Sequence, residues 1–255
     1  MRAVAIIPAR LKSKRFPNKL IKRFNGKRII DHVIQNTMRL NFVDDVVIAS
    51  DDREFALSLC SKYPELRGFN ISKAMCGSQR AYHLYLKDRG YDIYVSIPAD
   101  EPAIDPSEVN KVFNKKSKIF TDEIITFYTK FYCLEDLTSS LSCKIVSCEK
   151  NYMIYNSRNV VPVNKDATYL ELEQYKKHVG IFCFPNRVFK EYGDLWKNTS
   201  NIESLEQNRF MQRFIHVRLI EMKHIGFGID TQEQIKKLES RLKTNEKNSG
   251  GGHKK

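Results

Sequence analysis

Five cations, Arg10, Lys12, Lys14, Arg15 and Lys19, fall within ten residues, with the hydroxyl of Ser13 among them. Positive charge at this density repels itself unless anions are near, and guanidinium and ammonium groups of this kind suit phosphate oxygens. The alternative reading is a solvated basic loop. No GKS or GKT and no GxGxxG occurs, so neither a Walker loop nor a dinucleotide fingerprint accounts for the cluster. Two acidic positions complement it: Asp100 with Glu101 after one apolar run, and Asp230 after Gly226 and Gly228. A pair of carboxylates facing a cationic loop suits Mg²⁺, which takes one or two protein carboxylates and completes its shell with water and phosphate oxygens. The alternative for such aspartates is helix capping, since Asp105 with Pro106 and Asp230 with Thr231 both stand before helical patterns.

These groups need strand ends to hold them. Ala3 to Ile7 is a short apolar run of the buried parallel type, which Pro8 is expected to end, and Pro17 and Asn18 make the basic stretch a loop. In open α/β sheets ligands bind beyond the carboxyl ends of the strands, where this loop would lie. Ile29, Ile30, Val33, Ile34 and Thr37 or Met38 make one apolar helical face, and Val46 to Ala49 reads as a second strand with Ser50 capping the next helix. A third strand is expected near Phe69 to Ile71, a helix over Gln79 to Lys87, and a fourth strand over Ile93 to Ile97. This alternation predicts right-handed crossovers and a mainly parallel sheet with helices on both faces.

From residues 119 to 162 the pattern turns β-rich, with strands at Ile124 to Tyr128, Leu141 to Val146 and Met153 to Asn156. It predicts an antiparallel or mixed extension, a common dimerisation arm. Strands at His178 to Phe184 and Ile215 to Glu221, and helices at Arg187 to Tyr192 and Glu203 to Arg213, restore the α/β pattern. Thr231 and Gln234 form a capping-box pattern for a last helix, and the chain beyond Lys243 reads as a disordered tail. Residues 1–243 are expected to be a single domain.

Composition narrows the class. With 42% apolar residues in 255, the chain can bury a full core, and a net charge of +13 favours polyanionic partners. No RNP, KH, helix-turn-helix or zinc-finger pattern supports nucleic acid as that partner. The six cysteines are scattered with no CxxC, and no apolar stretch approaches the roughly 20 residues of a membrane span. The expectation is a cytoplasmic protein with reduced thiols.

The segment PARLKSKRFPNKLIKRFNGKRII resembles the opening motif PARxxSxRxPxKxL…GKPMI of the cytidylyltransferases that activate acidic sugars. Further blocks follow in order: ADEPAI is similar to GDEPxI, KIV and YNSRNVVP to KVV and YFSRxxIP, and HVGIF to HLGIY. ESLEQNR is similar to EMLEQLR, and GIDTQEQIKKL to GVDTPEDLERV. By this resemblance, which spans residues 3 to 239, the chain is identified as a member of the CMP-Kdo synthetase family, where Kdo is 3-deoxy-manno-octulosonate.

The resemblance implies a nucleotide-diphospho-sugar transferase-like fold, a homodimer, Mg²⁺ as cofactor, and CTP and an acidic sugar as substrates. It implies that CMP passes from CTP to the anomeric hydroxyl of a 2-keto-3-deoxy sugar acid, with release of pyrophosphate, for lipopolysaccharide or capsule synthesis. Arg10, Ser13, Arg15 and Lys19 would then hold the nucleotide with Gly77, Ser78 and Arg80; Arg10, Lys19 and Asp100 would carry catalysis; Asp100 and Asp230 would hold the metal. Arg158, His178, Glu206 and Gln207 would bind the sugar, Arg158 taking its carboxylate. The sequence departs from the family at Pro98 and Ala99 (Gln-Gly), Cys76 and Gln79 (His and Glu), Phe182 (Tyr), and Val163 with Asn164 (Trp-Asp). These changes cluster on substrate contacts and leave open a related acceptor, such as an amino-substituted Kdo or a nonulosonate. A non-catalytic scaffold and a basic nucleic-acid-binding protein are the readings from other classes.

Overall fold

The computed structural model describes residues 1–11, 13, 15–70, 74, 76–113, 123–196, 205–223 and 226–250. Lys12, Lys14, Ile71 and Glu203 of the segments above lie outside them, as do residues 251–255.

The chain's first strand is its centre. β1 (Ala3–Ala9) pairs in parallel with β4 (Asp45–Ser50) on one side and β6 (Ile93–Ser96) on the other, and β5 (Leu66–Asn70) adds in parallel to β4. Ala3, Ala5, Ile7 and Ala9 face one core cluster while Val4 and Ile6 face another, so every position is apolar, as a strand covered on both faces requires. Each fully buried Ile or Val side chain contributes roughly 1.5–3 kcal/mol. Pro8 does not end β1. Ile6 carbonyl accepts from Ile97 N–H, so Pro8, two residues on, faces the same side, where β6 has stopped at Ser96 and no donor is missed.

Beyond β6 the sheet changes direction. β10 (Lys176–Pro185) runs antiparallel between β6 and β7 (Ile124–Thr129), and β11 (Val217–Glu221) closes that edge parallel to β7. The order is β11-β7-β10-β6-β1-β4-β5, with a β8 (Lys144–Ser147) and β9 (Met153–Ser157) hairpin attached to the front of β10. β2 (Arg23–Phe24) and β3 (Lys27–Arg28) form a separate ribbon. The β-rich stretch is therefore not one extension: β7 is buried along its whole length inside the main sheet, and only β8 and β9 project from it.

Helices cover both faces. α1 (Ile29–Thr37) buries Ile29, Ile30, Val33, Ile34 and Thr37, the stripe its spacing predicts. α2 (Arg53–Lys62) is capped by Asp52, whose side chain accepts from Phe55 N–H, and not by Ser50. α3 (Gly77–Lys87) and α6 (Asn186–Tyr192) pack on the opposite face, with α4 (Pro106–Val112), α5 (Leu134–Thr138) and α7 (Asn208–Gln212) as shorter elements. The last helix, α8 (Gln232–Gly250), continues seven residues past Lys243. Its start is half a capping box: Thr231 Oγ1 accepts from Gln234 N–H, but the Gln234 side-chain Oε1 accepts from Asp230 N–H.

Candidate active site

The chain turns one way from β1 to β4 and the other way to β6, which makes the β1/β6 boundary a switch point with an open crevice at the strand ends. The loop after β1 and Asp100 after β6 both reach it. A cleft of about 480 Å³ there is lined by Arg10, Ser13, Arg15, Lys19, Gly77 and Asp100, together with Pro8, Ser96, Pro98 and Ala99. Lys19 is its electrostatic centre: the ammonium is bound by Asp100 and lies 3.0 Å from Asp230 Oδ1, while Arg15 Nη2 is 3.2 Å from Asp230 Oδ2. Burial alone would lower the Lys19 pKa, but Asp100 and then Asp230 outweigh it and raise it, so the charge is fixed. For Asp100, burial raises the pKa against the pull of Lys19, with Glu101 and Asp230 adding to the rise. Arg10 leans on Asp51 at the end of β4, Nε to Oδ2 3.6 Å, and Ser13 Oγ accepts from Phe16 N–H at 3.3 Å, which folds the loop back.

Asp100, from the middle of the chain, and Asp230, from near its carboxyl end, thus converge on one cation. Hard carboxylate oxygens in a pair fit Mg²⁺, and among the described residues no group of three or more His, Cys, Asp or Glu offers a fuller cage. Water and phosphate oxygens would complete such a shell.

A second cleft, about 490 Å³, opens on the other side of the carboxylates. Asp100, Gly180 and Glu206 line both. β10 is irregular between Val179 and Phe182, and a Cβ on Gly180 would stand 3.4 Å from Pro98 and 3.5 Å from Glu101 Oε1, so the bare backbone lets β10 pass close to the carboxylate loop. Arg158, His178, Glu206 and Gln207 all line this cleft. His178 is neutral: burial takes its pKa down to about 4. Its Nε2 lies 2.8 Å from Thr126 Oγ1, whose own proton goes to Ile181 carbonyl, so Nε2–H donates and Nδ1 accepts from Gln207 at 3.3 Å. His178 therefore orients the Gln207 amide.

Two expected nucleotide contacts lie beneath the surface instead. Ser78 is buried, its hydroxyl donating to Glu206 and accepting from the Trp196 indole at 3.0 Å, while its N–H reaches Glu206 Oε2 at 3.2 Å. The Glu206 carboxylate thereby satisfies one free N–H in the first turn of α3. Arg80 is buried against Ala49 carbonyl at 3.3 Å, between the ends of β4 and α3, and burial lowers its pKa. Neither lines the cleft at β1. Burial first and Glu206 second push the Cys76 thiol up to about 12, which removes thiolate chemistry from the cleft edge.

The sequence reading missed much of the second cleft's wall: Asp136, Lys177, Lys237 and Arg241. Lys177 binds both oxygens of Asp136, at 3.0 and 2.9 Å, and Arg241 packs on the rings of Tyr132 and Phe227. Lys237 and Arg241, four residues apart on α8, were the readable signal, since that spacing puts both on one helical face.

A parallel-rich sheet with a cationic loop and a carboxylate pair at its switch point, joining two clefts, defines a nucleotidyltransferase. The chain belongs to the cytidylyltransferase family, whose profile matches residues 4–219. It is 30% identical over 254 residues to the 3-deoxy-manno-octulosonate cytidylyltransferase of Trichlorobacter lovleyi, covering 95% of this chain and 99% of that one. The enzyme of the same name from Zea mays is 31% identical over 251 residues, covering 95% and 82%. Among solved structures, CMP:2-keto-3-deoxy-manno-octonic acid synthetase complexed with CTP superposes with a TM-score of 0.80 at 26% identity, covering 96% of this chain and 100% of that one. The inositol-1-phosphate CTP transferase of T. maritima shares the fold, with a TM-score of 0.67 at 15% identity over 94% and 96%.

Proposed function

We propose that the protein transfers CMP from CTP to the anomeric hydroxyl of Kdo or a closely related 2-keto-3-deoxy sugar acid, releasing pyrophosphate. The observation that carries this reading is the meeting of two clefts at Asp100, with Lys19 and Asp230 beside it. Such a reaction brings two anions together and disperses charge at phosphorus, so positioning and electrostatics dominate its barrier. Arg10, Arg15 and Lys19 hold the triphosphate in the β1 cleft, and Lys19 supports the leaving pyrophosphate. Arg158 takes the acceptor carboxylate, for which a planar guanidinium is suited. Gln207, oriented by His178, and Glu206 face the acceptor hydroxyls. Asp100 and Asp230 would hold Mg²⁺, which would supply polarisation of the phosphoryl group and acidify the attacking hydroxyl.

The residues do the rest. On triphosphate binding Lys19, whose ammonium lies between Asp100 and Asp230, would turn to phosphate oxygens. The enzyme acts in the cytoplasm as a homodimer and serves lipopolysaccharide or capsule synthesis; light scattering at micromolar concentration tests the dimer, and a monomer would count against it. The defining experiment measures pyrophosphate release from each of the four NTPs with Mg²⁺ and a panel of 2-keto-3-deoxy acids. Release with CTP and Kdo is expected. Release with none would remove the enzymatic reading, and release with a sialic acid alone would move the acceptor to the nonulosonates.

A further inference from the structure

Lys144 is a fully buried ammonium that makes no contact a substrate would need. It opens β8 at the junction of three strands, opposite Ser157 of β9 and Lys177 of β10. Its Nζ donates to the carbonyls of Ser139 at 2.6 Å, Ser142 at 2.9 Å and Arg158 at 2.8 Å, so each of its three protons has an acceptor. Ser139, Ser142 and Arg158 all line the second cleft. Arg158 Nη1 donates in turn to Ser140 carbonyl at 2.9 Å, closing a ring from the loop before β8 to the segment after β9.

We propose that Lys144 is the positioning residue that assembles the carboxylate-binding rim of the acceptor cleft, fixing the backbone from which the Arg158 guanidinium reaches the substrate. This rests on the acceptor reading of that cleft given above. A buried ammonium is retained here because it alone can serve three converging carbonyls, which no apolar side chain satisfies and no carboxylate tolerates. Its field adds to the same end, since a positive charge lies under the site of an anionic ligand without meeting it.

The charge is conditional. Burial brings the Lys144 pKa down to about 8, with Cys143 and Asp136 of α5 opposing the fall and Arg158 and Lys177 of β10 favouring it. Below that pH the ammonium holds all three carbonyls. Above it the amine has two protons and a lone pair, so one carbonyl loses its donor and the rim loosens.

The test is steady-state kinetics of pyrophosphate release, with the acid varied at saturating CTP and CTP varied at saturating acid. Lys144→Met is expected to raise the acid's KM about 10- to 100-fold, the scale of lost hydrogen bonds to a charged group, while the CTP KM stays within about two-fold. In Lys144→Ala, ethylammonium in the assay is expected to restore part of the acid's affinity; a merely volumetric role would respond equally to ethanol. Should these variants fail to fold, the wild-type protein decides: the acid's KM rises as pH passes from 7 to 9 while the CTP KM stays level. An acid KM unchanged in Lys144→Met, or a loss shared equally by CTP, overturns the role of Lys144 and leaves the acceptor reading intact. No turnover by the wild-type protein with any 2-keto-3-deoxy acid overturns that reading itself.

Discussion

Lys19, from the start of the chain, is a cation held between Asp100 from its middle and Asp230 from near its end. Asp100→Asn removes one side of that pair without changing its volume. Turnover is expected to fall at least about 10³-fold, on the scale of losing a charge that acts in the transition state. Thermal unfolding should move little, because Lys19 keeps Asp230 as its counter-charge and is not left buried and unpaired; unchanged turnover would strip Asp100 of its role. His178 gives a prediction of the opposite kind. Burial holds it neutral, its pKa near 4 against about 6.5 when unfolded, so the unfolded chain binds the extra proton between those values. Its stabilising contribution is therefore complete above about pH 6.5 and lost as pH falls toward 4. Imidazole NMR should show no titration of His178 between pH 5.5 and 8, and a midpoint near 6.5 would contradict its buried hydrogen bonds. At this scale the sequence was legible where charge density at a strand end announced itself, in Arg10 to Lys19 and in Asp100. It was opaque for Ser78 and Arg80, because the group that engages Ser78, Glu206, arrives from 128 positions away. Lys144 was opaque for a related reason: a lysine opening an apolar strand looks like a solvated edge until the carbonyls around it are placed.

Between elements, Asp31 shows how α1 and α2 are locked. Its buried carboxylate receives Arg28 Nε and Nη2, each at 2.8 Å, with Lys62 and Tyr63 each at 3.0 Å. Burial works to raise its pKa, but the hydrogen bonds from Arg28, Lys62 and Tyr63 reverse that and bring it to about 2. The stabilisation is thus complete above an ordinary aspartate pKa of about 3.9 and lost as pH falls toward 2. Asp31→Asn, which keeps the shape and loses the charge, should cost about 1–3 kcal/mol, since Lys62 and Arg28 reach solvent and recover part of their hydration. Denaturant melts would show it, and an unshifted midpoint would demote the cluster to a solvated one. The alternation of strands and helices was readable because β1, β4 and α1 carry unbroken periodicity. The place of β7 was not, since a buried strand reads alike in the middle of a sheet and in an arm, and only its pairing with β10 and β11 decides. Pro8 misled for a similar reason: its cost depends on the neighbour it faces.

Across the whole molecule, β10 ties the halves together. One edge of it pairs with β8 at its start and with β6 at its end, and the other pairs with β7, while its side chains enter the core on both faces. Neither half has a complete sheet alone. Chemical denaturation is therefore expected as one transition, with far-UV dichroism and tryptophan emission coinciding; two separated transitions would contradict a single cooperative unit. Emission is available because Trp196 is the chain's one tryptophan. Its ring stacks on Tyr82, its indole N–H ends on Ser78, and Ser78 holds the Glu206 carboxylate that borders both clefts. The fold has thus wired a built-in optical gauge to the junction between its two clefts. Titrating either substrate should change the colour or yield of that single emitter, so the order in which they load can be followed without attaching a dye.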